Sequence, residues 1–254
     1  MKNIFKIWIF TAIFLLKRRK YFKKFKQFEE KKKEQEIFKL LKEFDDYILN
    51  KLKIDVEIIS NEELNLSEPV LFVANHPSML DPMFLLKVID SPVSFFVAQK
   101  GKVILKIPYG KNFYKYMHNV YIDRASIKSG VLAIKEGKQR LSSGFNLMIF
   151  PEGQITKVIS QEEVGEFKGG SFKTAMDEKK AIVPISIIGA ETIQEKPSIF
   201  SPINSQKVIL KVHKKIEYEE IKNFKTKDLA DYIKKIIQEP LQGGKKWKDS
   251  KMFM

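Results

Sequence analysis

Hydrophobic and polar positions change their rhythm near residue 53. Before it the spacing is helical. Residues 7–16 are apolar except for Thr11, and Phe22, Phe25 and Phe28 then recur every three residues among Lys23, Lys24 and Lys26. Ile37, Leu40, Leu41, Phe44 and Ile48 follow a helical period. The pattern predicts a short apolar helix around residues 7–16 and two amphipathic helices over residues 21–52, with residues 31–36 as a solvated stretch between their apolar parts. Beyond residue 53, short apolar runs alternate with helical stretches. Strands are expected at 56–60, 70–74, 94–98, 120–122, 147–150, 182–187 and 208–212, and helices at 127–141, 171–178 and 228–237. Strands alternating with helices imply an α/β fold whose central sheet is mixed, largely parallel and flanked by helices. No internal repeat or linker divides this part. The expected organisation is an N-terminal helical extension over residues 1–52 and a single α/β domain over 53–254.

The extension is too short in apolar residues to span a bilayer comfortably, since a spanning helix needs about 20 of them. A secretory signal fits poorly, because Lys17, Arg18, Arg19 and Lys20 follow the apolar stretch and no small-residue cleavage site is visible. The expected placement is a helix lying in the membrane surface, with Trp8 at the headgroup level and the basic flank against anionic lipids. That makes the chain peripheral or monotopic on the cytoplasmic face of the cell membrane. The half from residue 37 to 49 reads as ordinary core packing. The aromatics of residues 21–28, set among lysines, point to the membrane surface or a phosphate-rich partner.

Composition adds two constraints. The net charge of +15 calls for a polyanionic partner, although lysine spread over the whole chain is also explained by compositional bias. The expected partner is an anionic bilayer, not nucleic acid. There are no cysteines, so disulfides, thiolate metal sites and cysteine nucleophiles are excluded.

Candidate chemistry lies beyond the carboxyl ends of the expected strands, where open α/β sheets gather function. The segment VLFVANHPSMLDPMF, residues 70–84, ends a strand in Asn75-His76 and carries Asp81 five residues on. Asp123-Arg124 and Glu152-Gly153 follow two further strands. If these strands are parallel neighbours, all three clusters meet at one edge. Pro77 disfavours helix at His76, and Asp81 before Pro82 suits an N-cap. A turn followed by a helix start can therefore bring the Asp81 carboxylate onto one imidazole nitrogen and leave the other as a base. Read singly, His76 is better explained as a structural histidine and Asp81 as a capping aspartate.

Together the residues resemble the glycerolipid acyltransferases, the lysophosphatidic acid acyltransferase group. NHPSMLD resembles that family's N-H-x-S-x-x-D motif, VYIDR its second, FPEG its third and IVPISI its fourth, with IPYG and FKGGSFKTA in the expected order. The resemblance spans roughly residues 69–188. It implies transfer of a fatty acyl group from an activated thioester, acyl-CoA or acyl carrier protein, to a glycerophospholipid hydroxyl. The default acceptor is the sn-2 hydroxyl of lysophosphatidic acid, with phosphatidic acid as product. Glycerol 3-phosphate and other lysophospholipids are the alternatives.

The resemblance further implies His76 as general base and Asp81 as its orienting partner. Asn75, Ser78, Arg124, Glu152, Gly153 and Lys100, or else Lys102, are implied as substrate-binding. Arg124 would meet the acceptor phosphate, Glu152 a substrate hydroxyl or Arg124, and Gly153 would allow close backbone approach. No metal and no cofactor are implied beyond the thioester co-substrate. The chain departs from the family in two places. The stretch between residues 98 and 108 is slightly longer than usual, which leaves the lysine at Lys100 or Lys102. The third motif, which usually continues with Thr or Ser and then often an arginine, here continues with Gln154 and Ile155. Lys157 is one candidate for the missing cation. His118 and His213 read as structural. Two rivals are a metal-dependent phosphohydrolase with His76 and Asp81 as ligands, and a non-catalytic basic membrane-binding module.

Overall fold

The structure is a computed structural model and describes residues 2–60, 64, 66–98, 117–123, 125–156, 163–193, 202–204 and 206–242. Nine strands are described in chain order: β1 (Lys2–Asn3), β2 (Asp55–Ser60), β3 (Leu71–Ala74), β4 (Val93–Ala98), β5 (Val120–Ile122), β6 (Asn146–Ile149), β7 (Ile182–Ile188), β8 (Pro202–Ile203) and β9 (Lys207–Val212). The helices are α1 (Ile4–Lys17), α2 (Arg19–Phe25), α3 (Glu30–Leu52), α4 (Asp81–Leu85), α5 (Ile127–Ser142), α6 (Lys173–Asp177), α7 (Tyr218–Ile221) and α8 (Thr226–Gln242). Seven strands form one sheet in the order β2-β9-β7-β3-β6-β4-β5. The β7–β9 pair is antiparallel and every other pair is parallel. The expected fold class, a mixed and largely parallel sheet flanked by helices, is what the chain adopts.

The central strands read as continuous apolar runs because both faces are covered. Along β3, Phe72 and Ala74 point into one core cluster with Val183, Ile185 and Ile187 of β7, whereas Leu71 and Val73 point into the other. That alternation follows from the two-residue side-chain period of a strand. On the first face lie α3 and α4, through Ile48, Leu49, Leu52, Phe84 and Leu85. On the second lie α5, α6 and α8, through Leu141, Ala175, Leu229, Ile233 and Ile237. The edge strands are weaker: β5 is short, and β2 has only exposed and half-buried positions.

The N-terminal helices differ from the expected pair. Residues 31–36 lie inside α3, which runs unbroken for 23 residues. Phe22 and Phe25 do not face outward; they are buried with Phe14, Leu15, Ile37 and Leu40 in a third cluster. A three-residue aromatic spacing fits an inward stripe as well as an outward one, and only the packing of α1 and α2 on α3 separates the two. Arg18 locks this layer by pairing with Glu43 at 2.8 Å and lying 3.7 Å over the Phe14 ring. The layer also packs on the α/β core: Ile7, Phe10, Phe38 and Tyr47 border the first cluster, and Lys42 and Asp46 on α3 pair with Asp90 and Lys87. β1 pairs antiparallel with β8. What α1 does expose is a stripe at helical spacing, Ile9, Ile13 and Leu16, at 46%, 38% and 64% exposure. Lys17, Arg19, Lys20, Lys23, Lys24 and Lys26 follow it at the surface. Among the described residues, no helix is long and apolar enough to cross a membrane.

Candidate active site

The site grows out of the turn after β3. Asn75, the first residue past the strand, is buried, and its amide continues the sheet in place of backbone. Its Nδ2 donates to the Ile187 carbonyl at 2.9 Å, and its Oδ1 accepts from the Ile187 N–H at 2.7 Å. The turn is thus fastened to β7 before it reaches His76. Asp81 was expected to cap α4, but Leu80 takes the N-cap position and Asp81 is the first helical residue. Its carboxylate is free to reach back. Oδ2 lies 2.8 Å from His76 Nδ1 and accepts the Ser78 N–H at 2.8 Å. Ser78 Oγ accepts the Leu80 N–H at 3.2 Å, which rounds off the turn. Asn75 and Ser78 thus shape the turn through side-chain hydrogen bonds to protein backbone.

The turn after β6, the strand hydrogen-bonded beside β3, grips His76 from three sides. The Phe150 ring stacks on the imidazole, with centroids 4.1 Å apart and planes at 13°. Glu152 Oε1 accepts the His76 N–H at 2.7 Å, and the Thr156 N–H donates to the His76 carbonyl at 3.0 Å. The other Glu152 oxygen accepts the Gly165 N–H at 3.0 Å. Both oxygens of this buried carboxylate thus accept backbone N–H groups, which ties Glu152 to the His76 turn. Two glycines make the grip possible. Gly153 has φ +69°, which closes the turn in the left-handed region. A Cβ on Gly165 would lie 2.6 Å from Glu152 Oε2, so only glycine admits the carboxylate there.

The electrostatics suit a base. Burial pushes the Asp81 carboxyl from its ordinary 3.8 up to about 6, and nearby Glu152 adds to the rise; the His76 hydrogen bond and the Ser78 N–H pull the other way. Near pH 7 Asp81 is therefore mainly ionised. Its carboxylate then accepts a hydrogen bond from Nδ1–H and leaves Nε2 as the basic nitrogen. The His76 side chain keeps 14% of its surface exposed while Asp81 keeps none. Among the described residues nothing bonds Nε2. His76 opens into a cavity of about 530 Å³ whose walls are mostly apolar, including Met79, Phe95, Ile122, Ile127 and Ile149. Asp81 Oδ1 is buried without a hydrogen-bond partner.

The expected convergence of polar clusters holds at the β3 and β6 ends, which are adjacent. Asp123 follows β5, two strands further along, and joins as part of the cavity wall. Arg124, Lys100, Lys102 and Lys157 lie outside the described residues. Pro184 is a buried residue of β7, in register with Val73. The stacking by Phe150 and the close approach at Gly165 were not anticipated from sequence. A cavity cation, Lys168, was also missed, although it stands within the quoted FKGG segment. The other two histidines are structural, as expected. His118 Nε2 lies 2.6 Å from Glu34 Oε1. His213 Nε2 lies 2.7 Å from Ser186 Oγ, whose proton goes to the Ile237 carbonyl at 2.7 Å. Among the described residues, no group of three or more His, Cys, Asp or Glu could hold a metal ion.

Comparison with known proteins places this geometry. The family model described as Acyltransferase matches residues 55–188. A probable 1-acyl-sn-glycerol-3-phosphate acyltransferase of Mycoplasma genitalium is 36% identical over 134 residues, covering 51% of this chain and 48% of its own. The 1-acyl-sn-glycerol-3-phosphate acyltransferase of Borreliella burgdorferi is 23% identical over 189 residues, covering 74% and 72%. The chain spans about half the length of the two Mycoplasma relatives it matches. In fold it is similar to the crystal structure of the 1-acyl-sn-glycerophosphate (LPA) acyltransferase PlsC from Thermotoga maritima, with a TM-score of 0.75, 22% identity and 95% of each chain covered. The family match takes in more than half of the 254 residues and contains His76, Asp81 and Glu152, and on that ground the chain belongs to the acyltransferase family.

Proposed function

We propose that the chain is an O-acyltransferase that moves a fatty acyl group from a thioester, acyl-CoA or acyl carrier protein, to the sn-2 hydroxyl of lysophosphatidic acid, making phosphatidic acid for phospholipid biosynthesis. The observation that carries this reading is the His76–Asp81 pair, clamped by the Glu152 turn, at the wall of a mostly apolar cavity. The relatives' names support the acceptor at family level. In the step itself, His76 Nε2 takes the acceptor's hydroxyl proton as its oxygen attacks the thioester carbonyl. The new C–O bond forms, the C–S bond breaks, and the imidazolium returns its proton to the departing thiolate. Asp81 stabilises the imidazolium in between, and such a positioned base contributes about 100- to 10,000-fold. The apolar walls suit the acyl chain, and Arg124 serves the acceptor phosphate. No cofactor is needed beyond the thioester.

Both acceptor and product are lipids, so the enzyme works at a bilayer. The exposed Ile9, Ile13 and Leu16 stripe, followed by surface lysines, supports docking of α1 and α2 on the anionic cytoplasmic face of the cell membrane. Replacing Ile13 and Leu16 with Glu should release the protein from anionic vesicles while leaving its fold intact; unchanged binding overturns this docking.

The test of function is a purified full-length enzyme assayed with both thioester classes against lysophosphatidic acid, glycerol 3-phosphate and other lysophospholipids. Phosphatidic acid from lysophosphatidic acid, lost on His76→Ala, is the expected result. Transfer to none of the acceptors, with vesicle binding intact, supports the non-catalytic module. Phosphate release abolished by chelation supports the phosphohydrolase.

A further inference from the structure

Ile155 stands where the third motif of this family often carries an arginine, and the structure puts Ile155 on the cavity wall. The cavity still holds a cation. Lys168 lines it, as does Ser171. The two loops are tied together, since the Lys168 N–H donates to the Pro151 carbonyl at 3.1 Å and the Ser171 N–H to the Lys168 carbonyl at 3.0 Å. The ammonium lies over bare backbone: a Cβ on Gly153 would be 3.1 Å from Lys168 Nζ and 3.5 Å from its Cε. The Glu152 carboxylate, whose oxygens accept the His76 and Gly165 N–H groups, makes no ion pair with it among the described residues. Among the described residues, Lys168 has no ion pair and the Ser171 hydroxyl has no partner. An unpaired ammonium and a free hydroxyl on the wall that carries the base are groups that bind a phosphomonoester.

We propose that Lys168, assisted by Ser171, binds the acceptor's phosphate and sets the acceptor hydroxyl against His76, supplying the charge that Ile155 lacks. This rests on the acyltransferase reading above. It makes Lys168 a specificity-determining residue for phosphorylated acceptors. The thioester donor of the coenzyme A type also carries phosphates, so the experiment must separate the two sources.

The test uses the full-length enzyme with Lys168→Met, Lys168→Arg, Ser171→Ala and the double variant Lys168→Met with Ile155→Arg. Turnover is measured with lysophosphatidic acid and with monoacylglycerol, which lacks the phosphate. Lys168→Met should raise KM for lysophosphatidic acid at least about tenfold, the scale of one charged hydrogen bond, and leave kcat and the donor's KM within about threefold. Lys168→Arg should stay close to wild type, and adding Ile155→Arg should restore the lost affinity. Ser171→Ala should show a smaller rise. The proposal is overturned if the acceptor KM is unmoved, if the donor KM moves instead, or if monoacylglycerol suffers equally. Calorimetric titration of glycerol 3-phosphate into wild type and Lys168→Met reads the site without turnover. Binding lost in the variant supports the site even where the acyltransfer assay fails, and equal binding in both overturns it.

Discussion

Two histidines of this chain each bond a short polar side chain, and they are opposites. His76 meets Asp81 at the open edge between β3 and β6, with Nε2 toward a cavity. His213 meets Ser186 under α8, where the serine hydroxyl is spent on the Ile237 carbonyl. A Ser–His contact of 2.7 Å has the look of a nucleophile and its base, but this serine donates its proton to backbone and is fully buried. Burial, helped by Lys211, lowers His213 from 6.5 to about 4, so it stays neutral through the physiological range. What separates a base from a brace is not the partner's distance. It is whether the second ring nitrogen has somewhere to send a proton, and whether a carboxylate waits to stabilise the imidazolium.

The sharpest way to break that contrast is substitution of each histidine. His76→Ala is expected to lower turnover about 100- to 10,000-fold with little change in melting temperature. His213→Gln is expected to keep turnover within a few-fold and to lower the melting temperature. If the two phenotypes are exchanged, the assignment is reversed.

The clamp on His76 gives the next largest effect. Gly165→Ala sets a methyl 2.6 Å from Glu152 Oε2 and 2.7 Å from Thr156 Oγ1. The displaced Glu152 no longer fixes the His76 backbone, and misplacement of a base by about 1 Å costs up to about 100-fold. Steady-state kinetics should show the fall in kcat, with the donor's KM nearly unchanged.

Stability against pH separates the two sites by sign. The Asp81 carboxyl is raised on folding, from 3.8 to about 6, so its contribution is full below the lower value and is lost as pH rises through about 6. His213 is lowered, from 6.5 to about 4, so its contribution is full above 6.5 and is lost as pH falls toward 4. At roughly 1.4 kcal/mol per unit, each swing is about 3 kcal/mol. Denaturant melts between pH 4 and 6.5 should show wild type losing ground to Asp81→Asn as pH rises, and to His213→Gln as pH falls. Parallel slopes would refute both assignments.

Ser186→Ala is the smallest perturbation. It removes two hydrogen bonds and leaves His213 Nε2 without its partner in a largely buried place, which costs about 1–3 kcal/mol. Urea midpoints should report that loss while acyl transfer stays at the wild-type rate.

Much of the sheet was legible beforehand because its central strands are buried on both faces and so stand out as apolar runs between turn residues. The strand at 120–122 and the helix start at Ile127 agree with their expected bounds. The two-residue pairs β1 and β8 were not foreseen, since so short a strand has no period to read. The extension was read less well. Its Phe22 and Phe25 spacing is compatible with an outward stripe, and the choice depends on a partner helix distant in sequence. At the site, His76 and Asp81 were legible because the turn that joins them is local. The backbone contacts of Asn75 and Glu152 were not, because those partners lie 112 and 76 residues away.

By itself the sequence determined the α/β class, the strand ends at which the candidate site lies, and the residue types of its histidine–carboxylate pair. These are local properties: apolar periodicity, turn chemistry and a carboxylate five residues from a histidine. Tertiary structure alone decided which polar side chains are free. It set Glu152 and Asn75 against backbone groups from other strands, hid Ser186 beneath α8, and left His76 Nε2 and Lys168 facing one cavity. Whether a polar atom is available for substrate depends on what already satisfies it. In a folded chain that partner is commonly remote in sequence, because burial leaves no water to take its place.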